Sequence, residues 1–283
     1  MKRMLVLPLA GLAGLAVLLS GVPAKEEKLK PEDLVARHLA ALGSAEARAR
    51  VMTRTVAGTT TFTVRLGGHG LGDGSANILS DRKRTRIGLR YTAIEYPGEQ
   101  LAFDGERISA GFVQPGQRSP LSQFVYHHDV MMREGLLGGA LNAAWALLGV
   151  ADRRPKLAST GLKKIEGERL YELRYRSRRG EADLQISLYF EPETFRHVLT
   201  QYRLTQPSGM PPAPGLTGPR DAFHTLVEQF GDFREVDGLT LPHSYKLAYT
   251  IEGPRSTYLA WWSISEMKIL HNLNLEDSYF AVQ

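Results

Sequence analysis

Hydrophobic and polar residues alternate with a period of two along most of the chain after Met52. The stretch Thr61-Phe62-Thr63-Val64-Arg65-Leu66 is rich in β-branched and aromatic residues and predicts a strand with one buried face. Further candidate strands cover residues 76–79, 84–91, 100–103, 107–113, 156–165, 169–175, 183–190, 196–204, 223–236, 239–251 and 256–270. Asp104-Gly105 and Glu166-Gly167 join neighbouring candidates, and such dipeptides predict hairpins between antiparallel strands.

A helical pattern precedes the strands. Pro31 suits the first position of a helix, two acidic residues follow where the helix dipole favours negative charge, and Gly43 is a stop signal. The apolar positions fall on one stripe: Leu34, Val35, His38, Leu39 and Leu42. The helix is therefore predicted to lie flat on an apolar surface, with His38 packed in the core rather than bound to a metal.

A second helical pattern interrupts the strands at residues 119–150, a segment called the insert below. Pro120 suits a helix start, and glycines at positions 135, 138 and 139 divide the segment into short pieces. Its apolar residues include Leu136, Leu137, Leu141, Trp145, Leu147 and Leu148. The insert is predicted to form short helices over the sheet, either as a fixed plug or as a lid that moves.

Residues 206–221 hold five prolines and three glycines, a composition that predicts a loop. The three strand candidates after it would leave an apolar face uncovered if they formed a domain of their own. They are therefore predicted to complete the same sheet. Residues 25–283 are expected to form one domain, mainly β with some α structure.

The N-terminus has the three zones of a secretory signal peptide. Basic Lys2-Arg3 precedes a 16-residue apolar run that ends at Leu19, and Val22 and Ala24 fit the small-residue cleavage rule. The run is shorter than a membrane span needs, which favours cleavage after Ala24 over an anchor. The sequence thus predicts a signal peptide at residues 1–24 and a periplasmic mature protein.

Composition and charge reduce the number of possible functions. With 43% hydrophobic and 23% charged residues, the chain is predicted to be globular. It contains no cysteine, so it can form neither a lipid-modified cysteine nor a disulfide. The formal charge of +5 falls to +3 without Lys2 and Arg3, which argues against nucleic acid. The basic runs 82–84 and 176–179 are interpreted as solvated turns, with an anionic membrane surface as the alternative.

No sequence motif indicates catalysis. G-x-S-x-G is absent, and Ser80-x-x-Lys83 lacks the companion motifs of its class. Adjacent His127 and His128 would point in different directions on a helix, so no metal site is predicted. The glycine-rich stretch 66–74 lacks the Lys-Ser/Thr of a phosphate loop and is interpreted as a hairpin tip. We expect no enzyme activity, no cofactor and no metal.

Three phrases and the order of elements resemble the periplasmic lipoprotein carriers, the LolA/LolB-like superfamily that includes outer-membrane lipoprotein-sorting proteins. The phrases are GEQLAFDG at 98–105, LYFEPET at 188–194 and FREVDGLTLP at 233–242. The resemblance implies an open, strongly curved antiparallel β half-barrel, with the N-terminal amphipathic helix and a lid of short helices covering its concave side.

In that family the concave cavity holds acyl chains. The resemblance implies ligand-binding positions on the wall and lid at Phe62, Val64, Leu101, Phe103, Leu136, Leu137, Leu141, Trp145, Leu188 and Phe190. It suggests a non-enzymatic carrier for a lipid, lipoprotein or other amphiphile, with transient membrane contact and a monomeric state. Two alternatives stay open: an envelope sensor or scaffold that binds a protein partner with its cavity filled, and an enzyme that acts on a lipid.

Overall fold

The computed structural model describes residues 28–65, 69–111, 118–179, 183–207, 221–253 and 256–281. The signal peptide predicted at 1–24, and residues 208–220 of the predicted loop, lie outside the described residues. The α helices are α1 Pro31–Leu42, α2 Ala45–Arg50, α3 Pro120–His127, α4 Val130–Arg133 and α5 Val150–Arg153. The strands are β1 Thr53–Arg65, β2 His69–Asp81, β3 Thr85–Tyr91, β4 Gly98–Phe103, β5 Ile108–Gly111, β6 Lys156–Ile165, β7 Glu168–Arg176, β8 Gln185–Phe190, β9 His197–Gln206, β10 Ala222–Val236, β11 Leu239–Glu252 and β12 Thr257–His271. Short 3-10 helices lie at Gly139–Leu141, Ala146–Gly149 and Asp277–Phe280.

The twelve strands form one antiparallel sheet that does not close into a barrel. Its order is β5-β4-β3-β2-β1-β12-β11-β10-β9-β8-β7-β6. The first five strands extend towards one edge, and the last seven begin at the other edge and return until β12 pairs with β1. The predicted open antiparallel half-barrel is confirmed, and the C-terminal strands belong to the same sheet.

Two hairpins show how sequence sets the register. Glu166 and Gly167 join β6 to β7 with φ of 50° and 95°, and Asp237 and Gly238 join β10 to β11 with φ of 52° and 78°. Positive φ at both central residues defines the turn whose twist matches paired strands, and glycine adopts it without steric cost. The turn dipeptides were thus correct markers of antiparallel neighbours.

The insert lies across one face of the sheet, which we call the inner face. Strands β5 and β6 are the two edges, so the chain between them has to pass over the sheet. Ser119 caps α3, because its Oγ accepts a hydrogen bond from Ser122 N at 3.0 Å, and Pro120 occupies the first turn. The insert forms short helices over the sheet, as predicted.

Alternate side chains of a strand point to opposite faces of the sheet. Those on the inner face form the main core, and some of those on the outer face form a small second cluster. On β8, Ile186, Leu188 and Phe190 point into the main core with the insert. The intervening Tyr189 packs on the outer face with Leu170. Residues two apart on this strand therefore share a face, as alternation predicts.

The N-terminal helix is as predicted, and a second one was missed. Helix α1 buries Leu34, Val35, His38 and Leu42. Helix α2 is capped by Ser44, whose Oγ accepts from Ala47 N at 3.1 Å, but it buries only Ala47 and therefore shows no apolar stripe in the sequence. Among the described helices, none has both the length and the hydropathy to cross a bilayer.

The glycine-rich stretch lies where β1 and β2 form a hairpin, as predicted, but most of it is strand rather than tip. From His69 onward it is part of β2, which pairs Gly70 with Val64 and Gly72 with Phe62 of β1. A Cβ atom at Gly70 would lie 2.8 Å from Val64 Cγ1, and one at Gly72 would overlap the Phe62 ring. The glycines therefore make room for large cross-strand neighbours. Residues 66–68 lie outside the described residues.

Gly74 on β2 provides a test of this close packing. Its Cβ would overlap the carbonyl oxygen of Arg90, whereas a Cβ at Gly231 on β10 would meet nothing closer than Ser244 Cβ at 4.0 Å. We expect Gly74→Ala to lower the free energy of unfolding by about 1–3 kcal/mol. Gly231→Ala should leave it unchanged or raise it by up to about 1 kcal/mol. Urea denaturation measures both, and equal effects would contradict the packing argument.

Candidate functional site

An apolar groove of about 280 Å³ opens on the inner face where β1 ends and β12 begins. Leu71, 73% exposed, lies on its rim. The residues that line the groove are Phe62, Val64, Gly70, Leu71, Ala93, Glu95, Tyr96, Ser119, Tyr258, Ala260 and Trp262. Most of them are aliphatic or aromatic, with polar groups at a few positions, which is the usual composition of a site for an apolar ligand.

A chain of hydrogen bonds connects the groove to the insert. Trp262 Nε1 donates to Tyr96 Oη at 2.8 Å, and Tyr96 Oη donates to Glu99 Oε1 at 2.8 Å. Ser122 of helix α3 donates to the other oxygen of Glu99. Glu99 is fully buried, and burial raises the pKa of its carboxyl to about 7 although its hydroxyl partners favour the charged form. The rim of the groove and the start of the insert thus share one polar network.

A small void lies between the insert and the sheet, next to the groove. Its lining residues are Ile87, Leu89, Leu101, Leu121, Leu137, Tyr245, Leu247, Trp262 and Ile264. Trp262 lines both the void and the apolar groove. The open groove and the void under the insert are therefore adjacent and meet at the Trp262 side chain.

The positions expected to bind an acyl chain lie on the same inner face but not all at one site. Phe62 and Val64 line the groove, and Leu101 and Leu137 line the void. The other six are buried elsewhere in the main core: Phe103, Leu136, Leu141, Trp145, Leu188 and Phe190. Of the ten, only Val64 is more than marginally exposed.

Sequence reasoning missed the residues opposite Phe62. Trp262 and Ala260 of β12 pair with Phe62 and Val64 of β1 across almost the whole length of the chain. Alternation in β12 indicates that Ala260, Trp262 and Ile264 share a face, but no local signal indicates that this strand lies beside the first one. Tyr96 and Glu99 had no recognisable signal either.

Backbone hydrogen bonds to buried side chains hold the insert in place. Gly138 N donates to Glu228 Oε1 at 2.7 Å, and Ala143 N donates to Ser80 Oγ at 2.9 Å. The Arg54 guanidinium donates to the Ala140 carbonyl. The insert is thus fixed to β1, β2 and β10 by polar contacts as well as by apolar packing.

His38 connects the insert to helix α1. Its Nε2 lies 3.1 Å from Trp145 Nε1, which can only donate, and its Nδ1 lies 3.1 Å from the Phe195 carbonyl oxygen, which can only accept. These partners require the neutral ring with the proton on Nδ1. Burial lowers the pKa of His38 to about 4, in agreement with a neutral ring. His38 packs in the core, as predicted, and also orients Trp145.

Glu228 is the central acceptor beneath the insert. Besides Gly138 N, it accepts hydrogen bonds from Tyr202 Oη at 2.8 Å and Tyr245 Oη at 2.7 Å. It is fully buried, and burial raises the pKa of its carboxyl to about 7. Three donors satisfy the carboxylate, so it can remain inside an apolar core.

Among the described residues, no group of three or more His, Asp or Glu side chains is arranged to hold a metal ion.

Three solved bacterial structures are similar to this chain. A LolA superfamily protein from Nitrosomonas europaea matches 89% of this chain and 98% of its own, with 12% identity and a TM-score of 0.44. A DUF1329 family protein from Desulfovibrio piger matches 89% and 98%, with 10% identity and a TM-score of 0.41. An outer membrane lipoprotein-sorting protein domain from Vibrio parahaemolyticus matches 87% and 95%, with 8% identity and a TM-score of 0.49.

No family model matches the sequence, and no curated protein matches it.

The raised pKa of Glu228 predicts how stability depends on pH. The folded state retains this proton up to about pH 7, whereas an exposed glutamate loses it near pH 4.5. Protonated Glu228 therefore makes its full contribution to the free energy of unfolding below about pH 4.5, and this contribution is lost as the pH rises through 7. Glutamine cannot lose a proton, so Glu228→Gln lacks this pH dependence. The difference in free energy of unfolding, Glu228→Gln minus wild type, should therefore be larger at pH 8 than at pH 4 by on the order of 3 kcal/mol.

Urea denaturation at several pH values measures this difference. His38 and His197, whose pKa values burial lowers, are present in both proteins, so their contributions cancel. Glu235→Gln, on an exposed position of the same strand, controls for the loss of one carboxylate. Parallel pH profiles of wild type and Glu228→Gln would contradict a protonated Glu228.

Proposed function

We propose that this protein is a non-enzymatic carrier for a lipid, lipoprotein or similar amphiphile, whose acyl chain enters the apolar groove and extends beneath the insert. One observation carries the proposal: the open groove and the buried void share Trp262, so an apolar ligand in the groove would lie next to the void.

On this proposal the insert yields to the ligand, because the groove alone is too small for a whole acyl chain. About 280 Å³ is at the lower limit for small-molecule pockets, so it accommodates only part of an acyl chain. Each buried methylene contributes about 0.8 kcal/mol, so ten of them contribute about 8 kcal/mol before the costs of binding. That sum can offset the loss of several hydrogen bonds at about 1 kcal/mol each.

We further propose that the carrier works in the periplasm as a monomer, after cleavage following Ala24. The supporting observation is the three-zone N-terminus, which is followed by charged Lys25-Glu26-Glu27. The intact mass of the exported protein tests this part: a chain that starts at Lys25 is expected, and retention of residues 1–24 would contradict it.

Val64 is the position to test in the groove. It is half-buried there, and Val198 is half-buried on the outer face of β9, beside the second cluster. We expect Val64→Lys to weaken binding of a fluorescent fatty acid about tenfold or more, because a charge replaces apolar surface at the ligand. Val198→Lys controls for the effect of a lysine on folding and should bind as wild type does.

Fluorescence titration of the mature protein, 25–283, measures both variants, with native mass spectrometry of gently purified protein to identify any bound lipid. Wild-type protein that carries no lipid and takes up no fatty acid would overturn the carrier proposal. So would equal binding by the two lysine variants.

The second candidate is an envelope protein that binds a protein partner while its own insert fills the half-barrel. The specific observation in its favour is the burial of the insert, with Leu136, Leu141 and Trp145 at 0% exposure. In this case the insert never leaves the sheet, and the inner face binds no ligand.

A disulfide across the insert distinguishes the two candidates. Ala143 N donates to Ser80 Oγ at 2.9 Å, so the two residues are in contact between insert and sheet, and the natural chain has no cysteine that could compete. A thiol assay checks that the engineered pair forms the disulfide. We expect Ser80→Cys with Ala143→Cys to bind fatty acid when reduced and to lose most binding when oxidised. Fatty acid binding that is unaffected by oxidation would show that the insert does not move. Absence of binding in wild type and in both redox states would favour the scaffold.

A further inference from the structure

A second groove, of about 560 Å³, lies at the opposite end of β1 from the apolar groove, and basic side chains surround it. We call it the basic groove. Its five cationic residues are Arg48, Arg54, Arg82, Lys83 and Arg153, and Asp152 is the only carboxylate in its lining. Its floor is apolar and includes Val51, Leu239 and Trp145. The charge of the lining is therefore strongly positive in a concave site.

Backbone carbonyls, not carboxylates, hold the arginines of the basic groove. Arg48 Nη1 donates to the Gly43 carbonyl at 2.6 Å, Arg82 Nε to the Val51 carbonyl at 3.3 Å, and Arg153 Nη2 to the Ala144 carbonyl at 3.0 Å. A carbonyl fixes a guanidinium without neutralising it. The one described ion pair of these residues is a long contact of 3.9 Å between Arg153 and Glu134. Most of the positive charge is thus positioned and left uncompensated.

Arg54 is the decisive residue, because it is only 3% exposed and makes no direct ion pair among the described residues; its one carboxylate connection is indirect, through His271, which bonds to Asp237 Oδ2 at 2.8 Å. Its Nε donates to His271 Nε2 at 3.0 Å and its Nη1 donates to the Ala140 carbonyl. Nη2 has no hydrogen-bond partner in the described part of the chain. Burial lowers the pKa of Arg54 to about 10, so the group is still charged at neutral pH. A buried, uncompensated charge is costly unless an anion accompanies it.

We infer that the basic groove binds a phosphoryl group. Several guanidinium groups with unused N–H donors suit a dianion with several acceptor oxygens better than a single carboxylate. The volume lies within the range of small-molecule sites, so the phosphoryl group can belong to a larger molecule. Both a lipid headgroup and a soluble phosphate present this chemistry. The inference is independent of the proposed carrier role, because the two grooves use different residues at different ends of the sheet.

Two variants change the charge of the basic groove in opposite directions. Lys83 and Asp152 are exposed, and neither side chain makes a hydrogen bond or ion pair in the described residues, so both substitutions should leave the fold intact. We expect Lys83→Glu to weaken binding of inorganic phosphate roughly three- to tenfold and Asp152→Asn to strengthen it roughly two- to threefold. Lys163→Glu, on an exposed position of β6, makes the same change in net charge away from the groove and should bind as wild type does.

Isothermal titration of the mature protein with phosphate, at constant ionic strength set with chloride, measures these affinities. Flotation with phosphatidylcholine vesicles, with and without phosphatidic acid, distinguishes the sources. Phosphate binding with Lys83-dependent capture by the phosphatidic acid vesicles supports a lipid headgroup, and phosphate binding without capture supports a soluble phosphate. No phosphate binding by wild type, or equal weakening by Lys83→Glu and Lys163→Glu, would overturn the inference.

Discussion

The path of the chain between the two sheet edges is the constraint on which the rest of the structure depends. Strand β5 ends at one edge and β6 begins at the other, so the insert has to cross the inner face. Because both that face and the insert are apolar, crossing removes a large hydrophobic area from water, the main source of stability in a chain without disulfides. The same path would let the insert leave the face without unpairing a strand.

Buried polar groups determine how firmly the insert is held. Glu228, Ser80 and His38 each bond to a different part of it, and each is nearly or fully buried. Such groups add little net stability compared with apolar packing, but leaving one of them unpaired costs about 1–3 kcal/mol. An insert that moves must therefore find new partners for these groups, from water or from a ligand. A fully apolar plug would have no polar groups that need new partners when it moves. Its position on the sheet would also be less specific.

The sequence allowed the fold class and much of the inner face to be predicted, because alternation and turn dipeptides are local signals. Phe62, Leu101 and Phe190, for which the resemblance implied the concave wall, are buried on the inner face. Pairing of β1 with β12 is not local, which is why the partner Trp262 was missed although its own strand was recognised. The glycines at positions 70 and 72 were misread because their role depends on side chains of another strand.

The charged residues of the basic groove could not be assembled from sequence for the same reason. Arg82 and Lys83 follow β2, Arg48 belongs to α2 and Arg153 to α5, so their proximity exists only after the insert has crossed the sheet. The run at 82–84 was interpreted as a solvated turn; Arg82 and Lys83 are indeed exposed between β2 and β3, and both also line a concave site. Local charge patterns indicate where charge is exposed, but only the topology determines which charges meet.

The two grooves are separate sites joined by the insert. Arg54 and Phe62 are eight residues apart on β1, a distance of about 26 Å in an extended strand, so no small ligand contacts both. Arg54 nevertheless bonds to the insert at Ala140, and the void beside the apolar groove reaches the insert at Leu137. If an anion in the basic groove drew the Arg54 guanidinium away from Ala140, it would weaken a contact that holds the insert. By thermodynamic reciprocity, a ligand that displaced the insert would then change the affinity for that anion by the same factor.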